Sequence, residues 1–308
     1  MRAVVATRLG GPEVLELQEV PEPTAGPGQV LIRVTSAGVN FADLSSTRGT
    51  YAMAPPPPFI PGLEVAGEEV ESGKPVFAIV PSGGYAELVA AEERFTWDAE
   101  GLDLGAAGGY ALTGLTAFHA LRHVGGLQAG ETVLMTAAAG GVGSSAIQVA
   151  RALGAGRVIG VASTQEKRVR VMDFGADAAV GYEDEVPGPI DVAVDMVGGA
   201  TFQHLLEAMA PFGRMVLIGS SSGEVQQIPS VGDLRMRCVG VLPFSLGALR
   251  AKHPEVFART AAAGVELIRD GRLRPPIGMT LPLESAAEAH RLLGSRATTG
   301  KLVLAIKG

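Results

Sequence analysis

Short apolar runs separated by glycine and proline fill the first hundred residues. MRAVVATRL, EVLELQEVP and QVLIRVTSAGV are rich in Val, Ile and Leu, with turn chemistry between them in GGP and PTAGPG. These runs predict β-strands. FADLSSTRGTYAMAPPPPFIPG has little periodicity and ends in Pro55, Pro56, Pro57 and Pro58, which predicts a stiff extended connector. The strand pattern resumes in EVAGEEV, KPVFAIV and GYAELVAA. Beyond about residue 105 the period changes. AAGGYALTGLTAFHALRHVG has helical spacing, and strands then alternate with helices: ETVLMTAAA, GVGSSAIQVARALGA, RVIGVAS, TQEKRVRVMDFGA, DAAVGY, IDVAVDMVG, ATFQHLLEAMAPF, GRMVLIGS. The strands are apolar almost throughout, as when helices cover both faces of a parallel sheet. The pattern predicts a doubly wound α/β unit from about residue 115 to 245. In the tail, HPEVFARTAAAGVELIRDG predicts a helix, TLPLESAAEAHRLLGS a strand leading into a helix, and KLVLAIK a last strand.

Composition narrows the classes. The 308 residues are 47% hydrophobic and 19% charged, enough apolar material for a sizeable core. A net charge of −7 without a basic stripe argues against nucleic acid as a partner. The single cysteine, Cys238, rules out an internal disulfide and a multi-cysteine metal lobe. No apolar run reaches membrane-spanning length and the first residues lack a signal-peptide core, so the expectation is a cytoplasmic protein without a membrane partner.

The strand-to-helix stretch VLMTAAAGGVGSSAIQ concentrates glycine where a backbone must approach a ligand closely. In the dinucleotide fingerprint G-x-G-x-x-G the glycines serve a tight turn, close approach of a pyrophosphate, and close helix packing. Ala138, Gly140 and Gly143 occupy those places, so the first glycine has become alanine. Ala139, Gly140, Gly141, Val142 and Gly143 are therefore expected to face the pyrophosphate at a helix N-terminus. The next strand ends VIGVASTQEKR. Ala162 and Ser163 stand where a site for NAD would carry a carboxylate, and Lys167 and Arg168 follow. Loss of the negative charge and gain of cations suits a 2′-phosphate, hence NADPH, with Ser163 and Lys167 as its expected contacts and Arg168 solvating the helix start.

Eight stretches in order resemble the medium-chain dehydrogenase/reductase superfamily, and within it the zinc-independent quinone oxidoreductase branch: SAGVNFADL, PGLEVAG, GGYAELV, LTGLTAFHAL, AAAGGVG, FGADAAVGY, FGRMVLIG and GKLVLAI. The resemblance spans nearly the whole chain. It implies a GroES-like β-rich catalytic domain (1–114, completed by 249–308) and a Rossmann NADPH-binding domain (115–248). Zinc-dependent relatives place a cysteine and a histidine where this chain has Asn40 and Leu63, which cannot ligate zinc; only Glu64 remains. The pair His119 and His123 is expected as two partly exposed helix residues.

The resemblance further implies an NADPH-dependent reductase of quinones or other α,β-unsaturated carbonyls, with Asn40 and Tyr51 lining the nicotinamide and substrate pocket. Asp43 is read as structural, and Ser45 replaces a tyrosine common among relatives, which opens the acceptor question. Tyr182 is implied at the adenosine ribose or its phosphate, and Gly219, Ser220 and Phe244 around the rest of the cofactor. Asp195 is expected to organise a turn. A homodimer is implied, with VQQIPSVGDLRMRCVGVL as a candidate edge strand. An enoyl-thioester reductase, or an NADPH-binding sensor with little turnover, stays open on sequence alone.

Overall fold

In the computed structural model, described for residues 1–224 and 227–306, the chain divides into two compact units. One comprises Met1–Thr113, Gly247–Gly271 and Pro275–Gly308; the other comprises Gly114–Leu246 with Arg272–Arg274.

In chain order, the first unit begins with β1 (Arg2–Ala6), β2 (Leu15–Glu19), β3 (Gln29–Val39), α1 (Phe41–Thr47), β4 (Glu64–Glu69), β5 (Pro75–Ile79), β6 (Leu88–Glu92), β7 (Thr96–Asp98) and α2 (Leu104–Ala107). Then α3 (Ala111–Phe118) runs into a π-helix over His119–Val124. The second unit continues with β8 (Thr132–Met135), α4 (Gly141–Ala152), β9 (Arg157–Val161), α5 (Gln165–Asp173), β10 (Ala178–Val180), β11 (Ile190–Asp195), α6 (Ala200–Glu207), β12 (Met209–Leu217), α7 (Val231–Arg237) and β13 (Gly240–Pro243). The chain closes with α8 (Leu246–Lys252), α9 (Pro254–Arg269), β14 (Ile277–Pro282), α10 (Ala286–Gly294) and β15 (Lys301–Ala305).

In the first unit a sheet runs β14-β15-β3-β4-β5-β7, with β6 also paired to β3, and β1 and β2 form a separate ribbon. The long strand β3 alternates buried and more exposed positions only in its middle, is buried throughout its last four residues, and contributes Ile32, Val34, Ala37 and Val39 to the core beside Val65, Leu302 and Leu304. The last strand of the chain thus pairs antiparallel to β3, Leu302 opposite Val39. That register brings Lys301 to the neighbourhood of residue 40.

The second unit is one parallel sheet in the order β10-β9-β8-β11-β12-β13. This is the order of a Rossmann sheet, with the reversal of winding between β8 and β11, where ligands of open α/β sheets collect at the strands' carboxyl ends. Its strands are apolar on both faces; Val133, Leu134, Met135, Val158 and Ile159 are all fully buried.

Two expectations are corrected and one is narrowed. The stretch after Asn40 opens with the helix α1 rather than running as an extended connector. Its start is stabilised by Asp43, whose carboxylate accepts the Asn40 N–H at 2.8 Å. The candidate edge segment VQQIPSVGDLRMRCVGVL supplies the edge strand only with its last residues, which enter β13 at the edge of the parallel sheet, while Val231–Arg237 within it is the helix α7. Ser230 at the N-cap accepts the Asp233 N–H and starts that helix. Val225 and Gln226 of that segment lie outside the described residues. Finally, His119 is buried rather than partly exposed.

Candidate active site

The glycine loop sits at the carboxyl end of β8, beside the reversal of winding. There Thr136 joins the two central strands: its hydroxyl donates to Asp195 Oδ1 at 2.9 Å and accepts the Met196 N–H at 2.9 Å. Asp195 also accepts from the Val197 and Gly198 amides, so it organises the turn after β11. Burial pushes its carboxyl above the usual carboxylate range, against those hydrogen bonds.

Ala137 takes a left-handed backbone conformation, φ 46°, which costs a non-glycine residue roughly 1 kcal/mol. It is held from both sides. Its N–H donates to the Tyr182 hydroxyl at 3.1 Å, and its carbonyl accepts the Gly140 N–H at 2.9 Å. Helix α4 then starts at Gly141 with Gly140 as its N-cap and no side chain capping it. The amides of Gly141, Val142 and Gly143 therefore open a twelve-residue helix with no preceding turn to accept them. By contrast α5 is capped by the Thr164 hydroxyl, which accepts the Lys167 N–H. An uncapped, glycine-lined helix start fits the pyrophosphate of a dinucleotide.

Two glycines make the close packing possible. A Cβ on Gly143 would fall 2.5 Å from both the Ala137 carbonyl oxygen and Ala138 Cα. A Cβ on Gly160, in β9, would fall 2.7 Å from Ala138 Cβ. The methyl that replaces the first fingerprint glycine thus occupies space that Gly160 leaves open on the adjacent strand.

The remaining expected cofactor residues fall at strand ends of this unit. Ser163 is exposed just beyond β9, and Lys167 is half-buried in the first turn of α5, where burial lowers its ammonium pKa. Arg168, expected to solvate the helix start, reaches back to the strand end: its guanidinium donates to the Ala162 carbonyl at 3.3 Å and to Gln165 at 3.1 Å. Gly219 and Ser220 follow β12; the Ser220 hydroxyl donates to the Glu224 carbonyl at 2.8 Å. Phe244 follows β13, its N–H bonded to the Leu217 carbonyl at 2.8 Å, and its ring stacks on His119 with centroids 6.1 Å apart. The His119 Nδ1 lies 2.8 Å from the Leu115 carbonyl, and burial lowers its pKa to about 4, so the ring is neutral.

In the first unit, Asn40 and Tyr51 bracket α1. Asn40 is its N-cap, almost fully buried, and its side chain is drawn into a charged cluster. The amide nitrogen donates to Glu64 Oε1 at 3.0 Å and to the Gly38 carbonyl at 3.2 Å, while Asn40 Oδ1 accepts from the Lys301 ammonium. Lys301 also pairs with Glu64 at 2.6 Å, and Glu64 Oε2 accepts the Leu112 N–H at 2.8 Å. Both Asn40 amide hydrogens are engaged, so in this arrangement the side chain offers an acceptor, not a donor. Lys301 and the bound role of Glu64 were missed on sequence. The available signal was a lysine heading the otherwise apolar run KLVLAI.

Beyond α1, the Ser45 carbonyl accepts the Thr50 and Tyr51 amides and fixes the turn that carries Tyr51. The Tyr51 hydroxyl lies over Gly247, where a Cβ would come within 2.0 Å of it. Burial raises its pKa above the ordinary tyrosine value, opposed by the Arg250 charge, so the phenol is protonated at neutral pH. Asp43 is structural: it accepts from the Asn40 and Gly62 amides and from the Tyr85 hydroxyl, which in turn lies 3.3 Å from His290 Nε2. Burial raises the Asp43 pKa to about 6. Thr113 donates back to the Gly109 carbonyl within its own helix turn.

Zinc does not fit here. Asn40, Leu63 and Glu64 occupy the ligand places, Glu64 is already neutralised by Lys301, and no group of three His, Cys, Asp or Glu among the described residues could hold a metal.

Known proteins are similar to this chain along nearly its whole length. The family model described as "Alcohol dehydrogenase GroES-like domain" matches residues 26–100, and that described as "Zinc-binding dehydrogenase" matches residues 153–304. The quinone oxidoreductase of Sus scrofa is 36% identical over 99% of this chain and 97% of its own length; that of Lama guanicoe is 34% identical over 100% and 98%. Among solved structures, the quinone oxidoreductase from Thermus thermophilus, also determined in complex with NADPH, is 36% identical with a TM-score of 0.87, covering 99% of this chain and 100% of that one. A mycobacterial structure complexed with NADPH is 32% identical with a TM-score of 0.90, covering 99% of both chains. With a GroES-like sheet unit, a Rossmann unit and full-length similarity to these enzymes, the chain belongs to the medium-chain dehydrogenase/reductase superfamily, in its zinc-independent quinone oxidoreductase branch.

Proposed function

We propose that this protein is an NADPH-dependent oxidoreductase that reduces a quinone, or another α,β-unsaturated carbonyl, without zinc. The observation that carries the reading is the uncapped start of α4 at the reversal of winding, followed at the next strand end by cations in place of a carboxylate. The relatives named quinone oxidoreductase and the neighbours holding NADPH support it.

NADPH supplies the hydride; the chain supplies binding, orientation and polarisation. The backbone of Ala139, Gly140, Gly141, Val142 and Gly143 takes the pyrophosphate. Ser163 and Lys167, with Arg168 beside them, take the 2′-phosphate, Tyr182 the adenosine ribose, and Gly219, Ser220 and Phe244 the rest of the cofactor. The Tyr51 phenol, protonated at neutral pH, donates a hydrogen bond to the acceptor oxygen as negative charge develops there. Asn40 lines the same pocket as an acceptor.

The substrate is a small molecule. The finer reading is a cytoplasmic homodimer. Supporting it, β13 is the edge of the parallel sheet, and α7 before it leaves Val231 and Met236 more than three-quarters exposed, as is Phe212. A single, exposed cysteine suits a reducing compartment. The testing experiment follows NADPH oxidation at 340 nm with benzoquinone and with an enone. Tyr51→Phe is expected to lower kcat about 100-fold, the order lost with one oxyanion donor, while KM for NADPH stays within about twofold. An unchanged kcat removes Tyr51 from the chemistry.

A further inference from the structure

Lys301 is out of place by every composition rule. It opens the buried strand β15, is 2% exposed, and stands beside two other buried polar side chains, Glu64 at 0% and Asn40 at 7%. An ammonium and a carboxylate are removed from water only at a cost of several kcal/mol each, which structure recovers when geometry and hydrogen bonds are complete. Here they are complete. Each Glu64 oxygen has a partner, and the Asn40 amide bridges ammonium, carboxylate and backbone. The approach is close enough to require glycine at 38: a Cβ there would fall 2.3 Å from Glu64 Oε1 and 2.6 Å from the Gly108 carbonyl oxygen.

A carboxamide has two orientations that occupy the same volume. Turning that of Asn40 over would set its oxygen against the Glu64 carboxylate and the Gly38 carbonyl, and its NH2 against the Lys301 ammonium. Three attractive contacts would become three repulsive ones in a low-dielectric interior. The ion pair therefore selects one orientation.

We propose that Lys301 is a positioning residue of the reaction: paired with Glu64, its ammonium locks the Asn40 amide with the oxygen as the group available to ligands. A covalently attached cation thus stands at the position where zinc-dependent relatives gather metal ligands, and it organises the same pocket wall by hydrogen bonding. This inference rests on Asn40 lining the substrate pocket.

The test must avoid a buried orphan charge, since removing one partner of such a pair leaves the other uncompensated and is strongly destabilising. The double variant Lys301→Met/Glu64→Gln removes both charges at similar volume. The introduced amide satisfies the Leu112 N–H with its oxygen and turns its NH2 toward Asn40, which must then rotate. Lys301→Arg keeps the charge and the donors. With purified holoenzyme, NADPH and benzoquinone, Asn40→Ala is expected to lower kcat about tenfold, and the double variant about tenfold, with the Kd for NADPH within twofold. Adding Asn40→Ala to the double variant is expected to lower kcat by less than twofold further, since the two act as a unit. Lys301→Arg is expected to stay within about threefold of the parent. Full kcat in the folded double variant, or losses that simply multiply, overturns the proposal while leaving Asn40 in the pocket. A tenfold loss in Lys301→Arg overturns it whether or not the double variant folds. If Asn40→Ala alone leaves kcat unchanged, the reading of the pocket fails and the positioning role with it.

Discussion

Replacing Gly143 by alanine sets two effects of opposite sign against each other. In a helix free of neighbours the change favours folding by about 1 kcal/mol, because glycine loses more backbone freedom. In α4 the added Cβ would sit 2.5 Å from the Ala137 oxygen, 2.5 Å from Ala138 Cα and 2.8 Å from the Ala138 carbonyl carbon. All three are backbone atoms, so no rotamer can yield. Overpacking of this kind costs about 1–3 kcal/mol, and a contact with rigid main chain belongs at the upper end. The net expectation is about 2 kcal/mol of destabilisation of the Rossmann unit, or a melting shift of about 4–8 °C. The same displacement moves the α4 amides away from the loop, so NADPH affinity, read from quenching and enhancement in a fluorescence titration, is expected to fall about tenfold. Gly232→Ala is the control: its Cβ would find nothing closer than Ser230 Oγ at 3.5 Å, so that variant should melt at or above the parent temperature. A Gly143→Ala protein that melts higher than the parent and binds NADPH normally would refute the packing and the cradle together.

Two further outcomes follow from the same geometry. Lys167→Ala should raise KM for NADPH at least tenfold while that for NADH moves less than about twofold, read at 340 nm; equal effects would remove Lys167 from the 2′-phosphate. His119 is neutral in the fold, its pKa lowered by burial to about 4 against an ordinary 6.5, so its contribution is intact above the unfolded value and is lost as pH falls from 6.5 toward 4. That amounts to about 3 kcal/mol by linkage, and His119→Phe should shrink the drop in melting temperature between pH 7 and pH 4.5. An unchanged drop would place the acid sensitivity elsewhere.

Much of this architecture is visible in the chain. The alternation of apolar strands with helices after about residue 105 marks the parallel sheet, because strands covered on both faces have no polar face to disguise them. The loop from Ala137 to Gly143 is equally visible, since close approach of backbone to ligand and helix to strand requires missing side chains. What escapes is set by contacts distant in sequence. Helix α1 is only seven residues long and depends on Asp43 reaching the Asn40 amide, a local cap within a stretch that has no helical period. Helix α7 hides among residues that also suit a strand, and its exposed Val231 and Met236 give no amphipathic pattern. The π-helix from His119 to Val124 buries one histidine and leaves the other outside, which a 3.6-residue period does not predict. The Asn40–Glu64–Lys301 cluster joins residues up to 261 apart, and the pairings of β15 and of β4 with β3 bring them together. The compensation between Ala138 and Gly160 is likewise a relation between adjacent strands.

The most direct measurement is turnover of the purified protein, exhaustively treated with a strong zinc chelator, with NADPH and 1,4-benzoquinone. Sustained NADPH oxidation, unchanged by the chelator and slower with NADH, is the predicted result. Absence of turnover, or turnover abolished by the chelator and restored by zinc, would contradict it.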